Sequence, residues 1–156
     1  MTTSATESSP RTTVTFRAFS PNLSPEEVTR NLGEIPDHVH HPGDHPKNNP
    51  KFAAYRHGMW LIHSKVPADQ PLEVHLDSLL SILEPKQAYV RTLAQHATID
   101  FYCVLFWQSG FELSPQTLKR LANLEATFGV VVYPDDSGVP ALPEEAGTPP
   151  EERMRS

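Results

Sequence analysis

The chain of 156 residues has one cysteine and seven glycines, and it has no long apolar run. A single Cys103 excludes an internal disulfide framework and any zinc site built from several thiolates. No stretch approaches the roughly 18 apolar residues of a membrane-spanning helix, and Met1 to Thr12 is Ser/Thr-rich without the apolar segment of a secretory signal. A cytoplasmic protein with no membrane partner is the expectation. Clustered basic charge is missing too. The densest pair, Lys119-Arg120, is too small for the phosphate-neutralising surface that nucleic acids demand. Glycine-rich phosphate loops and a Gly-x-Ser-x-Gly turn are absent, which argues against the nucleotide sites and serine hydrolases built on them.

What the chain has in excess is proline, 16 residues of it. Pro10, Pro134, Pro140, Pro143, Pro149 and Pro150 lie at the two ends, and Pro36, Pro42, Pro46 and Pro50 share one internal stretch. Charge divides along similar lines. Residues 134–156 hold two arginines and six acidic side chains, whereas 13–133 hold 10 basic and 12 acidic ones. The net charge of -6 therefore belongs mostly to an acidic, proline-rich tail that lacks apolar periodicity. The expected organisation is a disordered N-terminal tail over 1–12, one domain over 13–133 with a long Pro/His-rich loop over 34–57, and a disordered tail over 134–156.

Within the domain, strands and helices alternate. Thr13 to Phe19 is β-branched and aromatic enough for a strand. Leu23-Ser24-Pro25-Glu26-Glu27-Val28 then reads as a helix start: Ser24 caps, Pro25 takes the first helical position, Glu27 completes a capping box, and Leu23 with Val28 forms a hydrophobic staple. Gly33 stops that helix. Gly58 to Lys65 is a second strand, and the loop before it has room for a short edge strand. Leu72, Leu76, Leu79, Leu80 and Leu83 line one face of a helix that Pro85 breaks, with a second helix through Tyr89, Val90 and Leu93. Ile99 to Trp107 is a nearly continuous apolar run, fit for a central strand covered on both faces. A helix over Ser114 to Leu124 and a strand over Val130 to Tyr133 complete the pattern.

At an offset of 90 residues Val14 aligns with Val104, Phe16 with Phe106, Leu23-Ser24-Pro25 with Leu113-Ser114-Pro115, Val28 with Leu118, and Arg30 with Arg120. Both copies run strand, cap, helix, although Thr117 stands where the capping-box Glu27 would be. The expected fold class is α+β: a small sheet from two strand-helix-strand units, pseudo-duplicated, with the leucine-striped helix between them and helices mainly on one face.

The succession Thr13-Val14-Thr15-Phe16-Arg17, Leu23-Ser24-Pro25-Glu26-Glu27-Val28, Gly43-Asp44, Gly58-Met59-Trp60, Ser64, Leu72 to Pro85 and Leu113-Ser114-Pro115 resembles the bacterial domain-of-unknown-function family 4279 over about residues 13–133. The resemblance implies a small intracellular α+β domain with no catalytic residues and no cofactor. The chain departs from the pattern between Asp37 and His57, where His38, His40 and His41 replace the lysines, arginines and tryptophan that the resemblance implies before Gly43-Asp44.

Four histidines, His38, His40, His41 and His45, fall within eight residues, with Asp37 and Asp44 beside them. Imidazoles and carboxylates suit a divalent transition metal, and a turned loop can converge three of them. Yet the spacing matches no established ligand pattern, such as His-Glu-x-x-His on a helix. A solvated polar loop is the simpler reading. Cys103, inside the most apolar strand, reads as a small hydrophobe rather than a nucleophile. Among the aromatics, most fill the core and a minority on an exposed sheet face form a partner surface; Trp60 and Trp107, with Arg17 and Asp44 at the edges, are the candidates. Glu73, Asp77, Glu84 and Lys119-Arg120 read as solvated helix surface. The composite expectation is a non-enzymatic protein-interaction module, of the kind seen in immunity or regulatory proteins, that binds another protein and needs no cofactor. The alternative is a metal-binding protein or metal-dependent hydrolase using His38, His40, His41, His45 and Asp44.

Overall fold

The fold is known from a computed structural model, which describes residues 9–135. The elements run β1 (Arg11–Ser20), α1 (Pro25–Leu32), β2 (His38–His40), β3 (Gly58–His63), α2 (Leu72–Leu83), α3 (Gln87–Ala94), β4 (Thr98–Phe106), α4 (Pro115–Asn123) and β5 (Thr127–Tyr133). Pairing begins at Arg11, inside the segment read as an N-terminal tail; the rest of the two expected tails, 1–8 and 136–156, lies outside the described residues. The class is α+β, as expected. No helix among the described residues is long and apolar enough to cross a membrane.

One five-stranded sheet runs in the order β2-β3-β1-β4-β5. All neighbours are antiparallel except β4 and β5, which are parallel. It follows that β1 and β2 run the same way with β3 between them, and that β3 and β4 run the same way with β1 between them. That is the split β-α-β-β-α-β arrangement of ferredoxin-like domains, to which α4 and β5 add one ordinary parallel crossover. Both β1-α1 and β4-α4 run strand, cap, helix, but the residues aligned at offset 90 face opposite ways, Val14 and Phe16 toward the core and Val104 and Phe106 away from it, and the two units also diverge after their helices. The first leaves a gap that β3 fills; the second lays its next strand directly alongside. The strand at the centre of the sheet is β1, not the more apolar β4.

Strand alternation sends Val14, Phe16 and Ala18 of β1, Trp60 and Ile62 of β3, and Ile99, Phe101, Cys103 and Leu105 of β4 to one face, where they form the main core with Leu72, Leu76, Leu79, Leu80 and Leu83. Phe16 sits at its middle, edge-on to Trp60 and 5.4 Å from the ring of Phe101. The leucine stripe is buried as its spacing predicts. Burying each such side chain contributes about 1.5–3 kcal/mol.

Local chemistry sets the helix ends. Ser24 Oγ accepts from the Glu27 N–H, Pro25 occupies the first turn, and Gly33 closes α1 at a φ of 71°, with its N–H on the Thr29 carbonyl. Gly58 is required for a different reason: a Cβ there would collide with the Leu23 carbonyl oxygen. In α4 the carboxylate missing at Thr117 comes from another helix. Glu73 of α2 accepts from the Ser114 N–H at 3.2 Å, from Ser114 Oγ at 2.5 Å and from Thr117 Oγ1 at 2.5 Å. Beside it, Arg120 of α4 donates to Asp77 at 2.7 Å and to both oxygens of Glu84 at 2.8 and 2.9 Å. Glu73, Asp77, Glu84 and Arg120 are therefore not idle helix surface, as their sequence positions suggest, but the polar clamp between α2 and α4.

Candidate functional site

The face opposite the helices carries different chemistry. Register places Arg17 between Leu61 of β3 and Asp100 of β4. The Arg17 guanidinium donates through Nε to Asp100 Oδ1 at 2.9 Å and through Nη2 to Oδ2 at 2.6 Å, a two-point fit that only this planar cation makes. Arg17 is 2% exposed and Asp100 13%, and the rings of Tyr102 and Phe19 lie 4.3 and 5.4 Å from the guanidinium carbon. Thr15 Oγ1 and His63 Nδ1, paired across β1 and β3, are 2.8 Å apart.

One end of this face is roofed. Phe19, Met59 and Leu61 form a small buried cluster of their own, with His57 edge-on to Phe19. The edge strand β2 adds His38 and His40, whose Nε2 and Nδ1 lie 3.2 Å apart, and Tyr55 stacks on His40 at 3.5 Å and 3°. The loop is held shut where the Gly43 N–H donates to the Tyr55 carbonyl and the Tyr55 N–H to that of Asp44. Burial pushes the His40 imidazole down to about 4 and lowers those of His38 and His63, so all three are neutral near pH 7. The Nε2 of His40 is buried and has no hydrogen-bond partner among the described residues.

The other two loop histidines point elsewhere. His41 Nε2 meets Glu26 at 2.6 Å and its Nδ1 lies 3.4 Å from Asp44, contacts that raise the imidazole, the Glu26 hydrogen bond most of all, while its backbone N–H also donates to Asp44. His45 Nδ1 lies 2.8 Å from the Phe52 carbonyl oxygen. The structure thus pairs His38 with His40, while His41 and Asp44 bond to each other, His41 also to Glu26, and His45 to the Phe52 carbonyl. Among the described residues no group of three or more His, Cys, Asp or Glu is placed to hold a metal ion.

The opposite end of the face is more open: Arg11 is exposed and Trp107 and Tyr133 are half-buried, although Phe106 is buried. Arg11 of β1, Phe106 of β4 and Tyr133 of β5 share one register row. The Phe106 and Tyr133 rings stack at 5.6 Å, Trp107 tilts against Phe106 at 5.7 Å, and the Arg11 guanidinium lies 4.6 and 5.1 Å from the Phe106 and Trp107 ring centres. Trp107 adopts a φ of 57°, a left-handed conformation that costs a bulky residue about 1–3 kcal/mol, and its N–H donates to the Tyr133 carbonyl at 2.6 Å. This turn ends β4 and folds the indole back beside the cluster instead of letting it follow the strand.

Two of the four partner-surface residues read from the sequence are misplaced. Trp60 is fully buried on the helix side, donating through Nε1 to Thr29 Oγ1 at 2.9 Å, and Arg17 lies beneath Tyr102 and Phe19. Both presented an aromatic or charged side chain in a strand, and alternation alone does not say which face is covered. Trp107 is half-buried on the open end; Asp44 is exposed, on the loop. Arg11 and Tyr133 complete the cluster and were missed, since Arg11 fell in the expected tail. Cys103 is buried in the core, and that burial pushes its thiol well above the ordinary range, as an inert hydrophobe requires.

No curated protein and no solved structure matches the chain. A family model does, over residues 10–135, which includes every described element, both ends of the open face and the roofing loop. The chain belongs to the DUF4279 family, a domain of unknown function.

Proposed function

We propose that this domain is a non-enzymatic protein-interaction module whose contact surface is the open end of the helix-free face, centred on Trp107. The observation that carries this reading is the strained turn at Trp107, which places an indole beside Phe106, Tyr133 and Arg11. Trp, Tyr and Arg are the residues that dominate binding energy at interfaces, and they do so in clusters held rigid before the partner arrives. Backbone strain kept by the fold suits such a role, because ordinary packing would favour glycine at that φ. The partner is a protein with an apolar patch rimmed by acceptors for Arg11.

Trp107→Gly separates binding from folding, since glycine adopts the left-handed conformation without strain. Full-length chain and variant are compared on native lysate and then on the purified partner by calorimetry. The expected result is one stoichiometric partner, bound at least about 30-fold more weakly by Trp107→Gly and by Arg11→Ala, with unchanged circular dichroism. Equal affinity of both variants, or robust turnover of a small substrate with no stoichiometric partner, overturns the reading.

A further inference from the structure

The sheet has two edges, and they are treated differently. At one, β2 is three residues long and carries two histidines, with the Gly43–Tyr55 arch continuing beyond it. At the other, β5 is seven residues long and reads Thr-Phe-Gly-Val-Val-Val-Tyr. It contains no charge and no proline, and among the described residues it has a strand partner on one side alone, β4. Short length, an edge charge, a proline or a bulge are the devices that keep sheet edges apart, and β5 shows none of them within its span.

We propose that β5 is a pairing edge for a second copy of this chain, joining antiparallel about Val130 into one ten-stranded sheet. Self-pairing fits the residues. A two-fold axis through Val130 sets Val130 against its counterpart, Phe128 against Val132, Gly129 against Val131, and Thr127 against Tyr133. Every opposed pair is uncharged, aromatic residues meet β-branched or threonine side chains, and the one glycine meets a valine. The axis also preserves the faces. Phe128 and Val130 already pack on the main core, so the helix layers of both copies lie on the same side of the joined sheet. Two of the exposed large apolar residues stand at this edge on that side: Val132, 40% exposed, and Phe111, 44% exposed and edge-on to Phe128 at 5.9 Å. Pairing covers both. The Trp107 surface lies on the opposite face and shares only Tyr133 with this edge.

The test uses the full chain. Light scattering after size exclusion is expected to give a dimer at tens of micromolar, and Val132→Lys, which adds the missing edge charge at an exposed position, is expected to give a monomer with unchanged circular dichroism and melting temperature. Register is read with Val130→Cys in a Cys103→Ala background, because Cys103 is the neighbour of Val130 on β4. Directly opposed residues in an antiparallel pair have Cα atoms about 4.5–5.5 Å apart, within the span of a disulfide, so mild oxidation should cross-link the variant dimer, while the Cys103→Ala background alone, which holds no other cysteine, stays uncross-linked. A monomeric parent chain, or a Val132→Lys variant that stays dimeric, overturns the proposal. A dimer whose Val130→Cys variant does not cross-link overturns the register. Trp107→Gly should leave the dimer intact, so failure here and failure of the interaction reading are told apart.

Discussion

The two faces of the sheet are stabilised by different physics. The helix side is held mainly by apolar area, Phe16, Trp60, Phe101 and the leucine stripe, and polar contacts such as Trp60 to Thr29 and the clamp between α2 and α4 lie at its margins. The other side has no helix over it among the described residues, and its middle is held by a buried ion pair that joins β1 to β4, flanked by aromatic rings and neutral imidazoles. Apolar packing tolerates exchange of one side chain for another of similar volume. A buried ion pair does not, because removing one partner strands the other charge out of water. The open face is accordingly the more specific half of the molecule and the more brittle.

Breaking that contrast is simplest at Arg17. Arg17→Ala leaves Asp100 mostly buried without its cation and is expected to cost about 3–5 kcal/mol, seen as a lower urea midpoint at unchanged slope. The double change Arg17→Met with Asp100→Leu removes both charges and is expected to recover most of the loss. A double variant as unstable as Arg17→Ala would mean that the ion pair holds the face through shape rather than charge.

Acid sharpens the comparison. The His40 imidazole is held down to about 4, below its ordinary 6.5, first by burial and then by His38. Between those values the unfolded chain binds a proton that the folded one refuses, so stability is full above about pH 6.5 and is lost as the pH falls through about 4. The loss is on the order of 3 kcal/mol. His38 and His63 on the same face, and the buried His75 of α2, are lowered by burial in the same direction and add to it. His41 works the opposite way: its imidazole is raised, chiefly by Glu26, so its contribution is present in acid and fades as the pH rises through its folded value. His40→Phe keeps a ring against Tyr55 and removes the orphaned Nε2, so urea midpoints should become flatter between pH 6.5 and 4 without a loss at pH 7.5. A variant as acid-sensitive as the parent would move the effect to the other histidines.

What the sequence reveals follows the range of the interaction. The start of α1 at Ser24-Pro25, its end at Gly33 and the buried leucines of α2 are legible because caps and stripes depend on residues three or four apart. The clamp from Glu73, Asp77 and Glu84 to α4 spans 36 to 44 residues, and nothing local distinguishes those carboxylates from solvated ones. The four loop histidines look like one cluster on paper, yet an edge strand sends His38 and His40 to the sheet while a turn sends His41 to Glu26. Trp60 and Phe106 look equally suited to either face. Their fates were fixed by where α1 and α2 settled, which the period of two in a strand does not encode.

The smallest expected effect tests whether the covered face is as tolerant as its chemistry implies. Trp60 is fully buried and donates its one N–H to Thr29 Oγ1 at 2.9 Å. Thr29→Val keeps the shape of the side chain and deletes the acceptor, leaving the indole N–H without that bond. A bond of this kind is worth about 1 kcal/mol, and an unsatisfied donor costs about 1–3 kcal/mol when no water replaces the acceptor. Because Thr29 is only half-buried, water reaches the gap, and the low end, about 1 kcal/mol, is expected in urea denaturation. A loss approaching that of Arg17→Ala would show that the covered face depends on a polar contact as strongly as the open one.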